Sequence, residues 1–268
     1  MNINNLNFSY NNELVLNNIN FTLVEGARLL LVGSNGSGKT TLLKILGGKH
    51  LLNDQNSVII FNEPTYSTKL NYERQLIDLN WGLRTVAFAG NNIPYVADIK
   101  VKNMMSELQK KYPERKQVLL NLLEIDLEWG MHQLSDGERR RVQIFIALLR
   151  PVKLILLDEI TNVLDITCRE RLLTWLLNES INNNVTIIYS THIFDGLDGW
   201  YTDILCLRNN NKESSVHYFG KIKEKLYDTV KQWLELDIKK NIGHSKNKLE
   251  TSTISGGGFA PGRFYNYW

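Results

Sequence analysis

Residues 27–48, ARLLLVGSNGSGKTTLLKILGG, carry the pattern that decides the fold. The segment begins with a mostly apolar run that ends in glycine, which is typical of a buried parallel strand. It ends with a run of helical spacing that stops at Gly47–Gly48. A strand, a glycine-rich loop and a helix in this order are the context in which the loop pattern G-x-x-x-x-G-K-[ST] binds phosphate. The alternative is a chance glycine-rich turn, which this context disfavours.

The loop predicts a site for the phosphates of a nucleotide and for Mg²⁺. Its backbone N–H groups and the N-terminus of the following helix can cradle phosphates. Lys39 would reach the β- and γ-phosphates, and the Thr40 hydroxyl would bind Mg²⁺. The predicted phosphate-binding residues are Gly33, Ser34, Asn35, Gly36, Ser37, Gly38, Lys39, Thr40 and Thr41.

Two later strands end in residues that could complete this site. Residues 154–159, LILLDE, place two acids at the end of an apolar strand, where open α/β sheets bind ligands. Asp158 suits the Mg²⁺ shell, and Glu159 could orient and deprotonate an attacking water. Capping of the next turn is the alternative for both acids. His192 ends the strand YSTH and is a candidate sensor of the γ-phosphate, although most such histidines are ordinary surface or core residues.

Residues 133–143, QLSDGERRRVQ, begin a helix. Ser135 followed by Glu138 is a capping box, and the acids Asp136 and Glu138 suit the positive end of the helix dipole. Helix capping alone is enough to account for these residues. The triplet Arg139–Arg141 is typical of a solvated helix face.

Composition limits the classes of function. The chain has 268 residues, 43% of them hydrophobic, and a net charge of +3. This mild basicity without a clustered basic face does not predict direct nucleic-acid binding. Cys168 and Cys206 lie far apart, so we expect buried free thiols in a reducing compartment. No apolar run approaches the roughly 18 residues of a membrane span, and no secretory signal is visible.

The order of elements predicts an α/β fold with a mixed, mostly parallel core sheet. An antiparallel β region comes first, and a helical subdomain is inserted at about residues 95–150. The predicted ATP-binding domain covers residues 1–238. A Lys, Asn, Ser, Thr and Gly-rich segment, 239–268, is expected to be a flexible tail.

The motifs occur in one order that resembles the ABC ATPase family of P-loop NTPases. GSNGSGKTT resembles its Walker A loop, LSDGE its signature, and LILLDE its Walker B strand with the catalytic glutamate. NVLDI resembles the D-loop, with Leu164 and Asp165, and STH resembles the H-loop, with His192. FSY stands where the family places an aromatic residue that stacks on adenine, so Tyr10 is the candidate. The resemblance covers about residues 3–235.

The resemblance implies ATP hydrolysis in a head-to-tail homodimer. In this family the signature touches the γ-phosphate held by another copy, which would be the role of Ser135 and the Gly137 N–H. The chain has one loop and one signature, so a C2 dimer would contain two competent sites. Asp136 replaces a glycine and Glu138 a glutamine. The added negative charge predicts weaker nucleotide-driven dimerisation, unless the arginine triplet offsets it.

One departure from the family concerns a glutamine that contacts Mg²⁺ and links the site to a transmembrane partner. No glutamine lies between Arg84 and Gln109, and Asn91 or Asn92 is the candidate substitute. The chain also resembles the small soluble members typified by the plant non-intrinsic ABC proteins and the fungal factor associated with the carbon-catabolite-repressor–NOT complex. This implies a cytoplasmic or nuclear ATPase that joins a soluble regulatory complex in transcription or mRNA control. The alternative is the ATPase subunit of a transporter with a separate permease.

Overall fold

The computed structural model describes residues 1–65, 86–89, 99–162, 164–210 and 213–237. All ten strands found there belong to one sheet. The strands are β1 Asn2–Tyr10, β2 Glu13–Thr22, β3 Arg28–Gly33, β4 Val58–Ile60, β5 Glu63–Pro64, β6 Val86–Ala89, β7 Leu154–Asp158, β8 Thr186–Ser190, β9 Asp203–Asn210 and β10 Glu213–Gly220.

The helices follow the predicted positions. They are α1 Lys39–Leu46, α2 Ser106–Lys111, α3 Pro113–Leu123, α4 Asp136–Leu148 and α5 Ile166–Asn183, and residues 226–237 form α6. Pro113 is the first residue of α3, where its missing N–H costs nothing. Gly47 and Gly48 follow α1 as predicted. Within the described ranges no helix is long and apolar enough to cross a membrane.

The sheet order is β5-β4-β1-β2-β10-β9-β3-β8-β7-β6. The pairs β9–β3, β3–β8, β8–β7 and β7–β6 are parallel, whereas β1 pairs antiparallel with both β2 and β4. The predicted mixed sheet with an antiparallel N-terminal region is therefore confirmed. Because β3, β7 and β8 are parallel neighbours, their carboxyl ends meet at one edge, and the residues that follow them converge there.

Side-chain alternation along the strands divides the core in two. Leu29 and Leu31 of β3 face one hydrophobic cluster, which also holds the apolar side of α1. Leu30 and Val32 face the other cluster, which holds the buried sides of α3, α4, α5 and α6. A strand buried on both faces reads as a continuous apolar run. This explains why the apolar run of β3 shows no alternation of apolar and polar residues.

Both cysteines are buried and free, as predicted. Burial raises the pKa of Cys206 to about 12, so its thiol stays protonated. The helices α2 to α4 lie inside the predicted helical insertion, while its first residues lie outside the described part of the chain. The predicted tail 239–268 lies outside it as well.

Candidate nucleotide-binding site

The loop between β3 and α1 adopts a backbone that glycine permits. Gly33, Gly36 and Gly38 have φ values of 150°, 79° and 80°. A Cβ on Gly33 would lie 2.3 Å from the Leu207 carbonyl oxygen, and one on Gly38 would lie 2.6 Å from Leu16 Cδ2. The loop is therefore packed tightly against its neighbours. Positive φ and this close packing require glycine at both positions.

Seven of the nine phosphate-binding candidates, all except Gly33 and Ser34, line one cavity of about 420 Å³. Its lining includes Asn35 to Thr41, together with Glu159 from the end of β7 and Val15 from β2. Lys39 donates hydrogen bonds from Nζ to the carbonyl oxygens of Gly33, at 2.8 Å, and Ser34, at 3.1 Å. Burial lowers the Lys39 pKa, and the charges of Glu159 and Asp158 oppose that effect. The amine is thus held inside the loop and beside the acids.

The predicted Mg²⁺ ligands come together. Thr40 donates from Oγ1 to Asp158 Oδ2 at 2.7 Å, although 118 residues separate them. Asp158 Oδ1 is buried and lacks a hydrogen-bond partner in the described structure. Burial is the main cause that raises the Asp158 pKa, and the Glu159 charge adds to it. A buried carboxylate oxygen without a partner, beside a threonine hydroxyl, fits the oxygen ligands that Mg²⁺ requires.

Glu159 is held in place on both carboxylate oxygens. His192 Nε2 lies 2.9 Å from its Oε1, and Asn162 donates to its Oε2 at 3.0 Å. The backbone of Glu159 is left-handed, with φ 52°, and its N–H donates to the Ser190 carbonyl at 2.9 Å. Strained backbone of this kind costs about 1–3 kcal/mol and persists where the surroundings enforce it. The arrangement aims the carboxylate into the cavity.

The predicted capping box at the start of α4 is confirmed. Glu138 Oε2 accepts hydrogen bonds from the Ser135 N–H at 2.8 Å and its hydroxyl at 2.7 Å. These bonds lower the Glu138 pKa. The Asp136 side chain is 92% exposed and contacts Arg139 at 3.3 Å. Ser135 to Glu138 are not among the described residues that line the cavity of their own chain.

The arginine triplet does not form a solvated face, so that interpretation of the sequence was wrong. All three side chains are partly buried, and that of Arg141 is only 19% exposed. Burial lowers the pKa of Arg140, and the nearby Asp158 carboxylate opposes the shift. Arg141 pairs with Glu124 and Asp165, which belong to other segments, so the local sequence does not reveal these partners.

Arg141 joins the signature helix to the D-loop candidate. It contacts Asp165 Oδ2 at 2.6 Å and Glu124 at 3.2 Å. Asp165 also caps α5, because its Oδ1 accepts from the Cys168 N–H at 2.8 Å. These hydrogen bonds lower the Asp165 pKa. Asp165 therefore connects the N-terminus of α5 with α4.

Two residues at the site were missed by sequence reasoning. One is Asn162, which holds Glu159. The other is buried Arg169, which donates to the carbonyls of Ile193 at 2.9 Å and Asp195 at 2.7 Å, directly after His192. A charged residue on the apolar side of α5 was the available signal, because charged groups are rarely buried without partners.

Tyr10 lies at the end of β1 and is 40% exposed. Its hydroxyl and His50 Nε2 are 2.7 Å apart, and it is not among the described residues lining the phosphate cavity. Its adenine-stacking role remains a prediction. Asn91 and Asn92 lie outside the described residues, so their proposed contact with Mg²⁺ also remains a prediction.

Comparison with known proteins agrees with this geometry. The sequence profile of the family described as "ABC transporter" matches residues 16–162. A dimeric bacterial ABC transporter cassette has the same fold, with a TM-score of 0.65 and 23% identity over 84% of this chain and 99% of that one. The same cassette as a dimer bound to ADP and Pi gives the same values. The predicted ABC-type fold is confirmed.

Three relatives are similar over most of the chain. ABC transporter I family member 21 of Arabidopsis thaliana is 37% identical over 92% of this chain and 90% of its own length. Member 20 of the same family and organism is 42% identical over 82% of this chain and 68% of its own length. CCR4-associated factor 16 of Saccharomyces cerevisiae is 34% identical over 75% of this chain and 72% of its own length. The predicted resemblance to this group is confirmed, and the chain belongs to the ABC transporter family as an ATP-binding cassette.

Proposed function

We propose that the chain is a Mg²⁺-dependent ATP hydrolase that works as a head-to-tail homodimer. The observation that carries the proposal is that Thr40 and Glu159 line one cavity with the loop, while Asp158 is hydrogen-bonded to Thr40. Each copy would provide the loop, the acids and His192 to one site. It would provide Ser135 and Gly137 to the other site, because these residues lie outside the cavity of their own chain. A C2 pair makes both sites equivalent.

The binding residues have separate tasks. The loop N–H groups and the N-terminus of α1 would hold the phosphates, and Lys39 would neutralise their charge from inside the loop. Thr40 and Asp158 would hold Mg²⁺, which supplies charge neutralisation at the phosphate oxygens. The two side chains already contact each other at 2.7 Å.

Glu159 would act as the general base. It would accept a proton from a water as that water attacks the γ-phosphorus and the bond to the β,γ-bridging oxygen breaks, which releases ADP and phosphate. His192 and Asn162 fix the carboxylate, with contacts of 2.9 Å and 3.0 Å. Fixed geometry matters because proton transfer needs a base within hydrogen-bond reach.

ATP turnover of Glu159→Gln tests this proposal. The amide is isosteric but cannot take the proton, so we expect turnover to fall by about 10²- to 10⁴-fold while ATP binding persists. Glu107→Gln is the matched control, because Glu107 is an exposed residue of α2 that pairs with Lys110. Equal turnover of the Glu159→Gln variant and the wild type would contradict the base assignment.

The ATP dependence of assembly tests the dimer. Glu159→Gln should form a dimer with MgATP and remain monomeric with MgADP, as measured by sedimentation. A monomer at saturating MgATP would refute the shared-site arrangement.

We further propose that the dimer serves a soluble regulatory complex in transcription or mRNA control and resides in the cytoplasm. The name of CCR4-associated factor 16, which is 34% identical to this chain, supports association with a regulatory complex.

An affinity pull-down with Glu159→Gln and MgATP tests the biological role, with the wild type and ADP as control. Soluble and membrane fractions would be analysed separately. Capture of a soluble mRNA-control complex would support the proposal. An ATP-dependent polytopic membrane partner would refute it and favour the alternative of a transporter subunit.

A further inference from the structure

Three aromatic rings form a cluster at the end of β1. Phe8 and Tyr10 are two residues apart on this strand and therefore share a face. His50 comes from the segment after α1. The Tyr10 ring centroid lies 4.9 Å from that of Phe8 and 5.3 Å from that of His50, with interplanar angles of 87° and 84°. The Phe8 and His50 rings are 5.1 Å apart.

A hydrogen bond holds the Tyr10 ring by its edge. The Tyr10 hydroxyl is 2.7 Å from His50 Nε2, and a phenolic oxygen lies in the plane of its ring. This contact is therefore made at the edge of the Tyr10 ring, and it restrains the ring's orientation. Burial of His50 and the Lys44 charge both lower the His50 pKa, which favours the neutral imidazole, and a neutral ring nitrogen can accept a hydrogen bond from the hydroxyl. Tyr10 remains 40% exposed, which leaves surface for a ligand.

We propose that His50 is a positioning residue for the nucleotide base. Together with Phe8 it orients the Tyr10 ring so that its exposed part can stack on a purine. This inference rests on the proposed function, because it takes Tyr10 as the residue that meets adenine. His50 itself would not touch the nucleotide, and its effect would be confined to the base.

The size of the effect follows from preorganisation. Ordering one side chain on binding costs about 0.5–1.5 kcal/mol, which corresponds to about 2- to 12-fold in the dissociation constant. Loss of the Tyr10–His50 bond would transfer that cost to the binding step. The phosphates would be bound as before, because Tyr10 is not among the described residues that line the phosphate cavity.

The experiment compares ATP with inorganic tripolyphosphate, which has the phosphates but no base. Calorimetry would give the affinity of each ligand, with Mg²⁺, for the wild type and for His50→Phe. The phenylalanine keeps a ring in the cluster and removes the nitrogen. We expect His50→Phe to bind ATP about 2- to 12-fold more weakly and to bind tripolyphosphate as the wild type does.

Two further variants sharpen the test. Tyr10→Phe removes the same bond from the other partner and should reproduce the loss, and the double variant should lose no more than either single one. If His50→Phe fails to fold, Tyr10→Phe alone decides the question. His217→Phe is the matched control, since His217 is an exposed histidine whose ring contacts Trp233 and Arg208.

The outcomes separate the two proposals. Unchanged ATP affinity in both His50→Phe and Tyr10→Phe would refute the role of His50 and leave the ATP site intact. A parallel loss of ATP and tripolyphosphate affinity would also refute it, because the effect would then not act through the base. A wild type that binds neither ligand would refute the proposed function itself.

Discussion

Substitutions of Ser135 separate its capping role from its proposed contact with the partner's nucleotide. The Ser135 hydroxyl accepts from the Glu138 N–H at 3.3 Å and donates to Glu138 Oε2 at 2.7 Å. Alanine removes both bonds. Ser135 is exposed, so the substitution leaves no cavity, and the cost is that of a lost N-cap, about 1 kcal/mol. Asparagine caps as well as serine, so Ser135→Asn should keep the stability of the wild type to within about 0.5 kcal/mol.

The ATP-dependent dimer should respond differently. Both substitutions remove the hydroxyl that would contact the partner's γ-phosphate. A hydrogen bond to a charged group contributes about 1.5–3 kcal/mol, and a C2 dimer contains two of them. We therefore expect both variants to weaken the dimer by about 3–6 kcal/mol, on the order of 100-fold or more.

Two measurements test the separation. Urea unfolding of the nucleotide-free protein gives the stability, and sedimentation with MgATP, in the Glu159→Gln background, gives the dimer constant. If Ser135→Asn dimerised like the wild type while Ser135→Ala did not, dimerisation would follow capping alone. The proposed phosphate contact would then be wrong.

The remaining predictions concern charge. Asp136→Gly should strengthen the ATP-dependent dimer because it removes negative charge near the partner's phosphate; an unchanged or weaker dimer constant would contradict this. Asp158→Asn should stabilise the protein without nucleotide, since burial raises the Asp158 pKa from 3.8 and so penalises its charged form. The free energy of unfolding, measured against pH, should be higher for Asp158→Asn than for the wild type at pH values above the raised Asp158 pKa. The difference should disappear as the pH falls toward the ordinary pKa of an aspartate. Glu179→Ala should lower the free energy of unfolding in urea by about 3–5 kcal/mol, because it leaves the Arg115 charge buried without its ion-pair partner. The Arg115 side chain is only 14% exposed and that of Glu179 only 10%. The exposed Glu107→Ala is the control, and equal costs for the two would show that the buried pair contributes no more than a surface one.

Local signals predicted most of the elements. The apolar run of β3 and the helical spacing of α1 are set within about ten residues each, so periodicity reveals them. The capping box at Ser135 is likewise local and was confirmed. The glycines of the loop were predictable because the backbone there requires positive φ.

Other features depend on distant partners. The sequence of the arginine triplet favoured a solvated face, but Arg141 is partly buried and pairs with Glu124 and Asp165, which belong to other segments. The contact of Tyr10 with His50 spans 40 residues. Asn162 begins the motif NVLDI, but nothing in that motif predicted its contact with Glu159, and Arg169 belongs to no motif. Burial and pairing of this kind are properties of packing, so a short window of sequence cannot contain them.

The sequence by itself determined the family, the phosphate loop and the two acids that follow β7, because each is a short pattern with its own chemistry. Only the tertiary structure decided that these parts form one site. The order β3-β8-β7 brings the ends of three strands to one edge and sets Thr40 2.7 Å from Asp158 across 118 residues of chain. The physical reason is that sheet pairing and core burial, which act across the whole domain, fix the distances between side chains that the local chain leaves free.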